Sequence, residues 1–330
     1  MSLSKLAACK QAQPGLLCFQ PGLAPDTFYG TKDKVVFVMG ATGTGKSRLA
    51  IDLATQFPAE IINSDKIQVH RGLEVLTNKV TEAECRGVPH HLLGVIEPDS
   101  DFTADDFCSH VLMAIESILG RGRLPIIAGG SNSFIDALVN GNPEFQSRYE
   151  CCFLWVDVSM PVLQSFVSER VDKMVELGLV GEVRNIYDPK ADNSRGIRRA
   201  IGVTEMVEYL SIEASTTLDV ETKARVLKMA IDEIKKNTCA LASRQLQKIH
   251  RLNDIWDRKM QRLDATEVFV KRGAEANEVW EMVVAGPSTM IVYGFLYDKN
   301  PIARAITPDT SSAGAIATAA VSIPMAAMTH

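Results

Sequence analysis

Residues 40–47 read Gly40-Ala41-Thr42-Gly43-Thr44-Gly45-Lys46-Ser47 and fit the phosphate-loop pattern G-x-x-x-x-G-K-[ST] at every position. Glycines let backbone N–H groups close around phosphate oxygens, and a helix opening at the end of the loop adds favourable partial charge. Lys46 is spaced to reach a terminal phosphate. The Ser47 hydroxyl can ligate Mg2+, which keeps most of its water shell. A chance glycine-rich turn would lack the correct flanks. Here the apolar run Lys34–Met39 precedes the loop as a buried strand, and Lys46–Phe57 follows it as an amphipathic helix. The loop implies phosphates without fixing the reaction, since kinases, NTPases and transferases all use it.

Two acids compete for the role beside it. Asp65 follows the short strand Glu60–Asn63, whose C-terminal end in a parallel sheet would lie near the phosphates. It suits a general base or a holder of Mg2+ water, and equally a turn cap. Asp157 ends the apolar strand FLWVD, the usual place for the magnesium partner of a nucleotide-hydrolysing loop.

The surrounding pattern must position these residues. Leu92–Ile96, Leu124–Ala128 and Phe153–Val158 read as further strands, and Thr103–Leu119 as a helix capped by Thr103. Alternating strands and helices predict an α/β fold with a mostly parallel sheet flanked by helices. Beyond residue 160 the pattern turns helical, over Pro161–Leu177, Gly202–Ser211, Asp219–Leu252 and Asp264–Gly273, with Val279–Val284 as a late edge strand. The expected organisation is therefore a P-loop α/β core over 31–160 and a mainly helical part over 161–300. Residues 301–330, rich in Ala, Ser and Thr, read as a disordered tail.

Residues 1–30 read as a flexible segment. Lys5 and Lys10 occur with no acid before Asp26, as in a transit peptide lacking its arginines, and an ordinary tail is the alternative. A net charge of −5 argues against avid binding to nucleic acid. The seven cysteines include no C-x-x-C pair, which points to reduced thiols rather than a zinc site or a disulfide framework. No uninterrupted apolar run reaches the roughly 18 residues needed to cross a membrane, and no membrane partner is expected.

Five segments together resemble one family: GATGTGKS at 40–47, EIINSDKIQVHRGL at 60–73, VPHHLLGVIEPDSDFTADDF at 88–107, GRLPIIAGGSNSFIDALVNG at 122–141 and ASRQLQKIH at 242–250. This is similar to the isopentenyltransferase (dimethylallyltransferase) family, whose members prenylate N6 of adenine in tRNA or in free nucleotides. The resemblance implies that the loop holds the diphosphate of dimethylallyl diphosphate, with Lys46, the loop N–H groups and Mg2+ on Ser47 stabilising its charge as it leaves. It assigns Asp65 as the general base. It assigns Thr42, Ser131 and Arg244 to the donor diphosphate. His90 and His91 match its PHH segment without an assigned role.

The same resemblance separates two acceptors. Bacterial tRNA enzymes of the family insert a helical domain after the GG[TS] helix, and only about a dozen residues separate Gly141 from the FLWVD strand here. Eukaryotic tRNA members often carry a C-terminal zinc finger, and this chain has none. His70 stands where tRNA members commonly have Tyr. These departures disfavour tRNA and favour AMP, ADP or ATP, with ATP or ADP preferred if the chain is of the plant type. A plastid location follows from the same reading, a cytoplasmic one being the alternative. A P-loop small-molecule kinase using Asp157 is the remote alternative. The basic run Arg244, Lys248, Arg251, Arg258, Lys259 and Arg262, and the pair Arg198-Arg199, fit either a solvated face or an acceptor's phosphates.

Overall fold

The computed structural model describes residues 32–213 and 216–297. The expected N-terminal segment and C-terminal tail lie outside the described residues. Six parallel strands form one sheet: β1 (Asp33–Gly40), β2 (Ala59–Asn63), β3 (His90–His91), β4 (Leu124–Ala128), β5 (Tyr149–Asp157) and β6 (Gln261–Asp264), in the order β3-β2-β4-β1-β5-β6. The helices in chain order are α1 (Lys46–Gln56), α2 (Glu82–Cys85), α3 (Ala104–Gly120), α4 (Asn132–Val139), α5 (Pro143–Arg148), α6 (Met160–Glu176), α7 (Leu179–Ile186), α8 (Val203–Glu213), α9 (Val220–Ile255), α10 (Thr266–Val270), α11 (Gly273–Trp280) and α12 (Gly286–Tyr297).

β1 shows why the sheet is central. Val36 and Val38 face one core, with Leu49, Leu53, Leu163 and Trp280; Val35, Phe37 and Met39 face the other, with Phe107, Ile115, Ile135 and Phe145. All five side chains are fully buried, as a strand covered on both faces requires. A third apolar cluster joins Leu73 and Leu76 to Val171 and Met174 of α6, Leu179 of α7, Met206 of α8 and Ile234 of α9. Helix α9 contributes to all three, through Ile234, Ala242 and then Ile249. Its 36 residues span about 54 Å at 1.5 Å per residue, so it ties the helical part to the sheet.

Two expectations are corrected. Leu92–Ile96 is not a strand: β3 is the preceding pair His90–His91, and Ile96 makes an isolated bridge to His70. Val279–Val284 is helical, crossing from α11 into a π turn at Glu281–Ala285. A short apolar run fits strand or helix equally, and the apolar helix that follows decides the matter. The edge strand is instead Gln261–Asp264, beside β5. The continuous helical stretch Gly273–Tyr297, 25 residues long, meets the length and composition of a membrane span, but Trp280, Val284, Val292 and Phe295 bury one side of it in the sheet's core.

Glu60 anchors the start of β2, at the end of the strand away from Asp65. It is 3% exposed and accepts from Arg121 Nη2 (2.7 Å), Arg121 Nε (3.0 Å) and His91 Nε2 (2.6 Å). Chiefly the Arg121 hydrogen bonds, against the opposing effect of burial, hold its carboxyl at about 2. A carboxyl whose folded pKa is depressed stabilises above its unfolded value and loses that contribution as pH falls toward the folded one. Glu60→Gln is therefore expected to lower stability by about 1–3 kcal/mol at pH 7 in urea unfolding. The gap between variant and wild type should close as pH falls from 4.5 toward about 2. Equal stability at pH 7 would contradict this.

Candidate functional site

The carboxyl ends of β1, β2 and β4 open onto one cleft of about 580 Å3. β1 runs into the phosphate loop, β2 into Ser64-Asp65, and β4 into Gly129-Gly130. Gly40 must be glycine, because a Cβ there would lie 2.5 Å from the Val156 carbonyl and 2.6 Å from Thr44 Oγ1. Thr42, Gly43, Gly45, Lys46 and Ser47 line the cleft. Gly40, Ala41 and Thr44 are buried beneath them. Lys46 Nζ folds back onto the Ala41 carbonyl at 2.7 Å. Burial lowers its pKa to about 8, with the Asp65 carboxylate opposing and the Arg170 guanidinium adding to the shift.

Asp65 has a divided carboxylate. Its Oδ1 accepts from Ile67 N (2.9 Å) and Gln68 N (3.3 Å), while Asn63 Oδ1 accepts from Asp65 N at 3.1 Å. Its Oδ2 accepts no hydrogen bond from any described residue, and Asp65 lines the cleft. Turn cap and base are thus not exclusive: one oxygen fixes the loop and the other is left to take a proton. Ser131 is placed behind this loop, its Oγ accepting from Lys66 N at 2.9 Å, and it is not a lining residue.

Two residues unassigned from the sequence complete the geometry. Gln245 is buried; its Oε1 accepts from Thr42 N at 2.7 Å and its Nε2 donates to the Gly130 carbonyl at 2.9 Å. One amide thereby locks the phosphate loop to the Gly129-Gly130 turn. Gln245 lay within the recognised ASRQ segment, but only the fold shows what it joins. Arg170 on α6 donates through Nη2 to Thr42 Oγ1 at 2.9 Å, and its buried Nε has no partner. Desolvation lowers its pKa to about 10, so it stays charged at neutral pH. A half-buried cation with no described carboxylate in hydrogen-bond reach is a candidate anion site. Its signal was an arginine between the apolar stripe positions Val167, Val171 and Met174.

Arg244 lines the same cleft, exposed, and pairs with no described acid. The other predicted cations divide. Arg262 is bound to Asp157 at 2.7 Å and Arg198 to Asp99 at 3.0 Å. Arg199 lines the cleft with Asp101 at 3.9 Å. Lys248, Arg251, Arg258 and Lys259 do not line it. Arg262 takes Oδ2 of Asp157, and Asp157 does not line the cleft. His90 Nδ1 donates to the Val88 carbonyl at 2.8 Å and His91 binds Glu60, both outside the cleft. His70 is buried with Nε2 2.8 Å from the Ser100 carbonyl and serves packing.

The cleft's far wall is apolar, from Leu76, Val171, Met174, Ile201 and Leu241. It therefore pairs a phosphate end carrying Lys46, Arg170 and Arg244 with a greasy end, and sets a free carboxylate oxygen at Asp65. Ser47 Oγ is exposed on the cleft and makes no hydrogen bond to a described residue, a donor suited to Mg2+ shared with phosphate oxygens and water.

Comparison with known proteins places these residues in a family. The IPP transferase family profile matches residues 68–148 and 140–251. The chain is 62% identical over 286 residues to adenylate isopentenyltransferase 5, chloroplastic, of Arabidopsis thaliana, covering 86% of each chain. It is 54% identical over 303 residues to adenylate isopentenyltransferase 7, mitochondrial, of the same plant, covering 90% of this chain and 91% of the other. A crystal structure of a eukaryotic dimethylallyltransferase acting on tRNA superposes with a TM-score of 0.68 at 22% identity, covering 81% of this chain and 80% of that one. That likeness concerns the fold.

Arg170→Gln is expected to weaken binding of inorganic diphosphate about 10–100-fold in calorimetric titration. Asp157→Asn, in a carboxylate already held by Arg262, should change it less than threefold, by about 0.6 kcal/mol or less. Unaltered binding in Arg170→Gln would remove that residue from the anion site.

Proposed function

The chain belongs to the IPP transferase family, and from that premise we propose that it transfers the dimethylallyl group of dimethylallyl diphosphate to N6 of a free adenine nucleotide, the first step in making cytokinins. The observation that carries this reading is the single cleft in which unpaired cations face a carboxylate with one free oxygen. Identity of 62% and 54% to adenylate enzymes, against 30% to tRNA dimethylallyltransferase 2 of Arabidopsis thaliana, favours a nucleotide acceptor. So does the chain between Gly141 and β5, which holds only the six-residue α5 and leaves no room for an inserted domain.

The chemistry follows from the residues. N6 attacks C1 of the allyl group, the C1–O bond breaks, and diphosphate leaves with the electron pair. Charge grows on the diphosphate, where Lys46, Arg170, Arg244 and the Thr42 hydroxyl stand to receive it. Mg2+, held by Ser47 Oγ and the donor's own oxygens, would supply further neutralisation. Adenine N6 is a weak nucleophile because its lone pair is delocalised, so removal of its proton by Asp65 Oδ2 as N–C forms lowers the barrier. The apolar wall suits the prenyl chain and keeps water from the allylic carbon. A kinase reading is disfavoured by Asp157, engaged by Arg262.

ATP and ADP are the proposed acceptors ahead of AMP, and the plastid is the proposed location, in keeping with the plant relatives. Purified protein offered AMP, ADP, ATP and tRNA in competition, with dimethylallyl diphosphate and Mg2+, should yield prenylated ADP or ATP by mass spectrometry. Modification of tRNA alone would overturn the acceptor assignment. Asp65→Asn, near-isosteric and still able to cap its turn, should lower kcat by about 10²–10⁴-fold with little change in either KM. A variant with wild-type turnover would exclude Asp65 as the base.

A further inference from the structure

The C-terminal helix reaches the phosphate loop from outside the region matched by the family profile, which ends at residue 251. Its Trp280 is 1% exposed and lies against Gly45, where a Cβ would stand 2.8 Å from the indole Cη2. Gly45 has a φ of +93°, a left-handed value, and is the residue at which α1 begins. The indole N–H donates to Asp52 Oδ2 at 2.8 Å. On the same ring the Arg48 guanidinium stacks at 4.5 Å from the centroid, and its Nη2 donates to Asn277 Oδ1 at 3.1 Å. Arg48 lines the cleft next to Ser47. Gly45, Arg48 and Asp52 all belong to the phosphate loop or to the helix it opens.

The helix is shaped for this contact. Pro287 has no N–H and its ring would crowd the carbonyl four residues earlier in a regular helix. The backbone answers with a π turn at Glu281–Ala285, in which Gly286 N donates to the Glu281 carbonyl. Gly286 is required there, since a Cβ would lie 2.8 Å from that carbonyl oxygen. The widened turn lets Trp280 before it and Val292 and Phe295 after it all meet the same core.

We infer that Trp280 is a positioning residue for the donor: by seating Gly45 and stacking Arg48, it sets the loop's N–H groups and an additional cation toward the diphosphate. A tryptophan that merely filled the core would not hold a cleft-lining guanidinium against its face. The cation–π contact orients Arg48 without neutralising it. Its Nε lies 3.8 Å from Asp52 Oδ2, a carboxylate that Arg86 also binds and the indole N–H shares, so the guanidinium keeps charge to offer an anion at the cleft. This inference rests on the donor reading of the cleft given above.

Steady-state kinetics of Arg48→Met and Trp280→Phe test it, with thermal melting alongside. Arg48→Met should raise KM for dimethylallyl diphosphate about tenfold. Trp280→Phe, which keeps a ring under Arg48 but loses the tie to Asp52, should raise it about threefold. In both, the nucleotide KM should stay within about twofold of wild type. Unchanged donor KM in either variant overturns the inference, even where Trp280→Phe melts earlier, because that is the pattern of a purely structural ring. Should wild type prove unable to prenylate any nucleotide, the donor reading itself falls. Titration with inorganic diphosphate then still decides the role of Trp280: weaker binding in both variants supports it, and wild-type binding in both refutes it.

Discussion

The Gln245 side-chain amide is the interaction on which the site depends. It accepts from the Thr42 N–H of the phosphate loop and donates to the Gly130 carbonyl, and its own backbone carbonyl accepts from Asn132 Nδ2. A phosphate loop is a run of glycine-rich backbone with little side-chain packing of its own. Its donors converge on an anion only if something rigid holds the loop from behind. Gln245 supplies that from the middle of α9, a helix already fixed by three apolar clusters. The end of β4 and the helical part are thus joined to the end of β1 through one buried group whose hydrogen-bonding capacity is used on both sides.

Charge is then distributed unevenly, although Arg48 and Arg199 at the cleft do have acids, Asp52 and Asp101. Away from the cleft, cations have acids: Arg121 with Glu60, Arg262 with Asp157, Arg184 with Glu213. Inside it, Arg170 and Arg244 have none, and Lys46 has only the through-space influence of Asp65. Lys46 and Arg170, half-buried and without an acid in hydrogen-bond reach, cost desolvation energy in the empty protein, and an anionic ligand relieves that cost. The lowered pKa values of Lys46 and Arg170 both express that desolvation. A leaving group that gains charge as the bond breaks is met by more than one such centre, and stabilisation grows along the reaction coordinate rather than only on binding.

Much of this was legible in the residues, and the gaps have physical causes. Local signals read correctly where one period dominates: β1 and β4 as unbroken apolar runs, α3 with its Thr103–Asp106 capping box, and α9 with its long stripe. They failed where tertiary contacts choose. Gln261–Asp264 carries one buried residue, Leu263, and becomes a strand only because β5 offers an open edge. The run at 279–284 is apolar enough for either conformation. In the cleft, the loop and Asp65 announce themselves by motif and by strand end. Arg170 does not, because an arginine in a helical stripe gains meaning only from what faces it, here the Thr42 hydroxyl 128 positions away in sequence.

The placement of the free carboxylate accounts for what this phosphate loop does on the proposed reading. In the sheet order β2-β4-β1-β5, β5 is adjacent to the loop's own strand and β2 lies one strand beyond β4 on the other side. An acid at the end of β5 would hold metal and water against a terminal phosphate, which is the arrangement for hydrolysis. That acid exists as Asp157, but Arg262 binds it and the Ala265 N–H takes its backbone carbonyl at 2.8 Å. The acid that opens onto the cleft is at the end of β2, where Asp65 keeps Oδ2 free of any hydrogen bond from a described residue. On this reading a base placed there lines the same cleft as the phosphate loop and takes its proton from a second molecule entering beside the donor. On the proposed reading, the difference between cleaving a phosphate and using one as a leaving group is carried by which strand end turns its carboxylate into the cleft.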